Sequence, residues 1–350
     1  MNLTRCARPT IGTRSTYTVL GFVGYAAGTL FAAMLAMHWS MTLEERLIVL
    51  LAPPLAFLLV VAIARAIAGR ELIVFYQAAI AATSTVAIAG ALRGANVVRL
   101  VDTAVLGIGV MLAFGRLGCF AVACCHGRPA RRGVRYGAAH VAAGFWKRWS
   151  GRTLFPIQLV ESAASLGLVI GALALSALPG RAAVIYIDGY ALLRFGLELH
   201  RGDPVRPFAL GLSEAQWFSI AVVGAVALAS PTLWTVTAAG VLVLGAIVLV
   251  ARRRRRELLL PPHLRVLDEV CSAVLADPAH ARRDTGLGLG VTCHYLDDGR
   301  IDWVLSSGHA MWSVETARQI ADTLWRDSEV VAGRMPGVVH VIVPPEGGAR

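Results

Sequence analysis

From Ala215 to Ala251 the chain carries no charged residue, and Pro231 is the one break in that stretch. A helix needs about 20 apolar residues to cross a hydrocarbon layer of roughly 30 Å, so this segment has room for two crossings. Comparable runs precede it. They extend from Thr16 to about Leu43, Leu47 to Ala64, Leu72 to Leu92, Thr103 to Cys125 with Arg116 embedded, Ser162 to Leu178, and Ala182 to Leu199 with Asp188, Arg194 and Glu198 embedded. Together they predict about seven or eight spans. Lipid offers no hydrogen bonds to a bare backbone, so the expected fold class is an all-α integral membrane helix bundle. Composition agrees: only 16% of residues are charged, too few to cover the core of a soluble chain of 350 residues. The first run is longer than a signal-peptide core and more spans follow it, so it reads as a retained helix. Pro53 and Pro54 are expected to kink the second.

The net charge is +11, and its placement decides what it means. Arginines crowd between apolar runs and just after the last one, where cations anchor loops at anionic headgroups. No basic face interleaved with aromatics accompanies them, which points to the membrane and away from nucleic acid. Past Arg252 to Arg256 the long apolar runs stop, and Asp, Glu, His and Pro become regular. The expected organisation is a basic tail over 1–15, a transmembrane bundle over 16–251, a basic stop and linker over 252–257, and a small soluble α+β domain over 258–350. In that last part, periodicity predicts helices from Pro261 to Ala279 and Val314 to Arg326. It predicts strands from Gly290 to Tyr295, Ile301 to Leu305 and Val338 to Val343, the first two joined across Asp298-Gly299.

Ionisable side chains at bilayer depth cost about 2.5 to 3.5 kcal/mol each, so each needs a partner or a task. Arg116 lies in Gly115-Arg116-Leu117-Gly118-Cys119-Phe120, and Glu161 in Pro156-Ile157-Gln158-Leu159-Val160-Glu161. Tyr190, Arg194 and Glu198 recur at four-residue steps and share one helix face, with Arg201 continuing near it. Two arginines and two carboxylates, with Gln158 and Tyr190 as neutral donors, make a polar chamber in an apolar bundle. Arginine suits a phosphate there, because its planar fork donates two parallel hydrogen bonds and stays ionised when desolvated. The bland alternative is a structural ion pair. Asp102, at the start of its span, reads as a cap before a catalyst. Cys119, Cys124, Cys125 and His126 admit a metal-site reading, but adjacent cysteines are an awkward tetrahedral pair, so small apolar packing is preferred and no metal or other cofactor is assigned.

Gly115-Arg116-x-Gly118-x-Phe120, then Pro156-x-Gln158-Leu159-x-Glu161, then Tyr190-x-x-x-Arg194-x-x-x-Glu198-x-x-Arg201 resemble successive signatures of the bacterial prolipoprotein diacylglyceryl transferases. The resemblance covers roughly Tyr17 to Ala251. It implies an enzyme of the bacterial plasma membrane that moves the diacylglyceryl group of phosphatidylglycerol onto the cysteine thiol of a lipoprotein signal peptide. Residue matching implies catalytic roles for Arg116, Arg194, Tyr190 and Glu161, the arginines holding the phosphate. Substrate binding is implied for Gln158, Glu198, Arg201 and Tyr76.

The chain also departs from that family. Its third span opens with Phe75-Tyr76-Gln77-Ala78-Ala79, where the family has a His-Gly-Gly signature whose histidine accepts the proton. Cys119 replaces an Asn, and Phe155 and Val160 replace a His and a Tyr. Glu161 could take the proton instead, or the thiol could react unaided. Two readings follow, an active transferase or a lapsed member that binds phospholipid or lipopeptide; an unrelated transporter is the third. With eight spans, the charge clusters at Arg5, Arg8 and Arg14, Arg65 and Arg70, Arg128 to Arg152, and Arg252 to Arg256 fall on one side. The positive-inside rule makes that side cytoplasmic, whereas the family places the loop after the arginine motif outside.

Overall fold

A computed structural model describes residues 8–68, 75–176, 178–204, 207–277 and 279–344. Arg5, Arg70 and the start of the third expected run, 72–74, lie outside the described residues. The chain is mostly helical. Ahead of the tail come α1 (Thr16–His38), α2 (Leu43–Ala68), α3 (Phe75–Leu92), α4 (Val97–Ala121), α5 (Ile157–Leu175), α6 (Arg181–Leu197), α7 (Glu214–Ala229) and α8 (Leu233–Ala251). Five helices among the described residues are long and apolar enough to cross a membrane: α1, Leu43–Ala66 of α2, α4, α5 and α8. The shorter helices α3, α6 and α7 occupy the other expected positions.

Capping moves several boundaries away from the edges of the apolar runs. α1 stops at His38, and α2 opens on a reciprocal box in which Thr42 N–H donates to Glu45 Oε2 at 2.8 Å and Glu45 N–H donates to Thr42 Oγ1 at 3.2 Å. α4 begins at Val97 because Asn96 Oδ1 accepts from Arg99 N–H at 3.2 Å. α2 runs through Pro53 and Pro54, and Pro231 separates α7 from α8 as expected.

One compact unit comprises Met1–His126, Pro156–His200 and Ala215–Val243. α4 is its hub: 56% of its apolar window is buried against 11% for α2, so α2 faces outward. α1 runs antiparallel to α4 with glycine against glycine. A Cβ on Gly28 would lie 2.6 Å from the Gly107 carbonyl oxygen, so the two backbones touch where no side chain fits. Small residues of this kind let helices pack in lipid, where no hydrophobic force drives them together. Leu35 of α1, Leu106 and Val110 of α4, Val169 of α5 and Tyr186 of α6 fill the core around this contact. Phe22, Leu55, Ile170, Leu228 and Leu233 point outward and are largely exposed, an arrangement that lipid covers and water penalises.

The other unit comprises Gly127–Phe155, Arg201–Glu214 and Leu244–Arg350. Its first segment is a hairpin-like arm, β1 (Pro129–Arg135) paired antiparallel with β2 (Thr153–Leu154). Its last holds α9 (Pro261–Ala276), β3 (Arg283–Asp284), β4 (Leu289–Tyr295), β5 (Ile301–Ser307), α10 (Val314–Leu324), β6 (Glu329–Ala332) and β7 (Val338–Val343). The five strands form one antiparallel sheet in the order β6-β7-β5-β4-β3. Alternation is clean: Leu289, Val291, Cys293, Trp303, Leu305, Val339 and Val341 are buried, while Asp302, Val304 and His340 are half-buried. Asp298-Gly299 turns β4 into β5, with Gly299 at φ 82°, in the left-handed region that glycine adopts freely.

The arm and the tail are one body. Trp146 Nε1 and Arg148 Nε donate to the two carboxylate oxygens of Asp268 at 2.7 and 2.6 Å, and Trp149 Nε1 donates to the Thr323 carbonyl at 3.0 Å. The loop after α4 and the tail after α8 are thus joined within one unit.

The glycine contact yields a test with an internal control, because Gly21 on the same helix has nothing within 4 Å of an added Cβ. Gly28→Leu is expected to destabilise the purified chain by about 1–3 kcal/mol, since the obstructing atom is backbone and cannot rotate away. Gly21→Leu is expected to leave the melting temperature in detergent unchanged.

Candidate functional site

The polar centre of the bundle starts from a stripe on α5. Gln158, Glu161, Ser162 and Ser165 fall at i, i+3, i+4 and i+7, one face of a helix, and all four are buried. α5 begins at Ile157, immediately after Pro156, rather than at Ser162 as its apolar run implies. That early start carries Gln158 and Glu161 into the bundle. Ser162 Oγ donates to the Ala113 carbonyl at 2.8 Å and Ser165 Oγ to that of Gly109 at 2.9 Å, which fixes α5 against α4. Gly109 has no side chain because Tyr186 of α6 lies there: a Cβ would come within 2.6 Å of its ring. The Tyr186 hydroxyl meets Ser165 Oγ at 2.8 Å, and its ring lies parallel to that of Tyr190 with centroids 6.0 Å apart.

Glu161 is the keystone of the charges. Its Oε1 accepts from the Tyr190 hydroxyl at 2.7 Å, and its Oε2 meets Arg116 Nε at 3.0 Å and Arg194 Nη1 at 3.5 Å. Arg194 Nη2 in turn pairs with Glu198 Oε1 at 2.6 Å, one helical turn on. Among the described residues, these two guanidinium groups and two carboxylates offset one another, which is what a desolvated cluster requires. The acidic members are the deepest, Glu161 being 2% exposed. Among the described residues Glu161 is the ion-pair partner of Arg116 and meets it through Nε; the two terminal amino groups of Arg116 make no hydrogen bond or ion pair there. Those amino groups are the free donors of the cluster.

Arg116, Glu161, Tyr190, Arg194 and Glu198 are thus brought together, as their spacing implies. Gln158 stands beside them on α5 and donates through Nε2 to the Cys124 carbonyl at 2.8 Å. Tyr76 lies on α3, its ring stacked on Phe218 of α7 at 4.4 Å. Arg201 belongs to the other compact unit. The α6 periodicity does not reach it, because the helix ends at Leu197 and a 3₁₀ turn follows over Glu198–His200. There its Nε and Nη2 bind the two oxygens of Asp203 at 2.9 and 3.0 Å, and its carbonyl accepts from Arg128 Nε at 3.0 Å.

Ser162, Ser165 and Tyr186 lie outside the charged motifs, and their signal in the sequence is the polar stripe at helical spacing that Ser162 and Ser165 continue. Asp102 is a cap, but for a different helix. From α4 it accepts from Gly180 N–H at 2.6 Å and Ala183 N–H at 2.8 Å, at the first turn of α6, where unpaired amides and the helix dipole favour a carboxylate.

A family model for prolipoprotein diacylglyceryl transferase matches residues 15–230, which takes in every element of the cluster. The chain belongs to that family. Among curated proteins, it is 30% identical over 130 residues to phosphatidylglycerol–prolipoprotein diacylglyceryl transferase 2 of Clostridium perfringens, a match covering 36% of this chain and 48% of that protein. It is 28% identical over 152 residues to the phosphatidylglycerol–prolipoprotein diacylglyceryl transferase of Clostridium tetani, covering 42% and 58%. This member of the family therefore spans about half the length of the curated relatives it matches. Its tail from 258 onward lies beyond the matched residues.

Removing the keystone exposes the balance of the transferase-family cluster. Glu161→Ala is expected to cost about 3–5 kcal/mol, because two guanidinium groups at bilayer depth lose their common counter-charge. Tyr190→Phe, which removes one hydrogen bond to the same carboxylate, is expected to cost about 1 kcal/mol. Melting temperatures of the purified variants in one detergent check both.

Proposed function

We propose that this protein transfers the diacylglyceryl group of phosphatidylglycerol to the thiol of a lipoprotein signal-peptide cysteine. A new bond forms between the sulfur and the terminal glycerol carbon as that carbon's bond to a phosphate oxygen breaks. The electron pair leaves with glycerol phosphate, and the thiol proton passes to a base. The observation that supports this reading most is the fork of Arg116, whose terminal amino groups are uncommitted among the described residues while its Nε is held by Glu161. A guanidinium so oriented offers two parallel donors to phosphate oxygens.

Arg194 adds a second positive charge through the same carboxylate. The leaving phosphate gains charge in the transition state, so cations already in place lower the barrier more than they tighten binding of the intact lipid. Tyr190 and Glu161 complete the catalytic group, Glu161 as orienting carboxylate and as the acceptor shared by both arginines. Gln158, Glu198, Tyr76 and Arg201 serve substrate binding. All eight helices cross the bacterial plasma membrane, the three shorter ones with them, and 258–350 is a separate soluble domain after a basic linker at 252–257.

One observation favours a second reading, a member that binds phospholipid or lipopeptide without turnover. The stretch where the family has its His-Gly-Gly signature reads Phe75 to Ala79 and holds no histidine, and Tyr76 within it is engaged in an aromatic stack. Complementation separates the two. A bacterium depleted of its own transferase is expected to regain lipoprotein modification when this chain is expressed, and to lose at least ~100-fold of it with Arg116→Ala or Arg194→Ala. Failure of the unaltered chain, present in the membrane at normal level, would leave the binding reading in its place.

A further inference from the structure

Where α4 ends, three thiols converge. The Sγ atoms of Cys119, Cys124 and Cys125 all lie within 4.8 Å of one another, none is in a disulfide, and Cys119 is 7% exposed. Chain geometry creates the convergence. After Ala121 the helix stops, and Ala123 and Cys125 take φ values of 60° and 50°, left-handed conformations that cost a residue with a Cβ about 1 kcal/mol or more each. Those two turns fold Cys124 and Cys125 back toward Cys119, a turn and a half earlier. Gln158 Nε2 fastens the turn through the Cys124 carbonyl at 2.8 Å.

Simple packing accounts poorly for this arrangement. A small apolar filler at a helix end does not need two non-glycine residues, Ala123 and Cys125, in the left-handed region on either side of Cys124. The adjacency of Cys124 and Cys125 is no obstacle either, because with Cys125 left-handed both sulfurs reach the same point. A cation bound at about 2.3 Å to each of three sulfurs needs them roughly 4 Å apart, so closure around an ion requires movements under about 1 Å.

We propose that Cys119, Cys124 and Cys125 form a metal site for a soft d¹⁰ cation, Zn²⁺ or Cu⁺. A donor set of sulfur alone selects such ions over Mg²⁺, Ca²⁺ or Mn²⁺. Binding forms three metal–sulfur bonds and releases the three thiol protons to solvent, with no change of oxidation state. The guanidinium of Arg116 is within electrostatic reach of Cys119 and Cys125, so the anionic thiolate–metal unit has a counter-charge at hand. The site borders the cluster of the lipid reaction proposed above through Arg116 and Gln158, but its metal binding is tested without that reaction.

The experiment uses the full chain purified in detergent under reducing conditions and stripped with a chelator, then titrated separately with Zn²⁺, with Cu⁺, and with Co²⁺ as a coloured stand-in for zinc. Uptake of one ion per chain with sulfur-to-cobalt charge-transfer absorption is expected. Cys119→Ser, Cys124→Ser and Cys125→Ser are each expected to weaken binding at least ~100-fold, beyond what loss of an outer-shell partner does. A chain with Cys6, Cys271 and Cys293 all changed to Ser is expected to bind as the wild type does. No stoichiometric uptake by monodisperse wild-type protein would overturn the site, as would a disulfide among the three cysteines in protein alkylated at lysis. Neither measurement depends on a variant folding.

Discussion

A carboxylate in a lipid-embedded bundle is tolerated only while cations surround it, and Glu161 is the point at which this chain meets that condition. Arg116 from α4 and Arg194 from α6 converge on one of its oxygens and Tyr190 on the other. Because those partners come from separate helices, the pairing fixes α4, α5 and α6 relative to one another. Ser162 and Ser165 extend the same seam by bonding to carbonyls of α4. Among the described residues the paired charges offset one another and the far end of Arg116 is unspent, so one arrangement suits both stability and the proposed recognition of a phosphate.

The glycine contacts make the seam possible. α1 comes against α4 at Gly28 and Gly107, and Tyr186 takes the place of a side chain at Gly109. Asp102 then anchors the opposite end of α6 by capping it from α4. α4 is thus held from three directions, in keeping with its being the most buried of the five long apolar helices. An arginine on such a helix has a fixed position, which the proposed catalysis on a phosphate ester would need more than affinity.

Local rules made the tail the most legible part. β7 spans the expected Val338–Val343, and the strands around Asp298-Gly299 differ from expectation by one or two residues, because alternation and turn chemistry are both written in neighbouring positions. Hydropathy found the membrane helices but not their ends, which depend on caps such as Thr42 and Asn96 that an apolar average overlooks. The charged residues announced the cluster, since lipid makes each one conspicuous. Uncharged Ser162 and Ser165 did not. Asp102 was readable as a cap but not for which helix, since its partners lie almost eighty residues on. Arg201 shows the limit of periodicity: a helical wheel extrapolates past Leu197, whereas the chain turns there and Asp203 takes the guanidinium.

The most direct measurement of the central claim is retention of phosphatidylglycerol on the detergent-purified chain by native mass spectrometry, with the wild type and Arg116→Ala compared at matched lipid concentration. If the open end of Arg116 grips the phosphate, the substitution weakens retention about 10- to 100-fold, the worth of one or two charge-assisted hydrogen bonds. Equal retention by the two proteins would contradict the account.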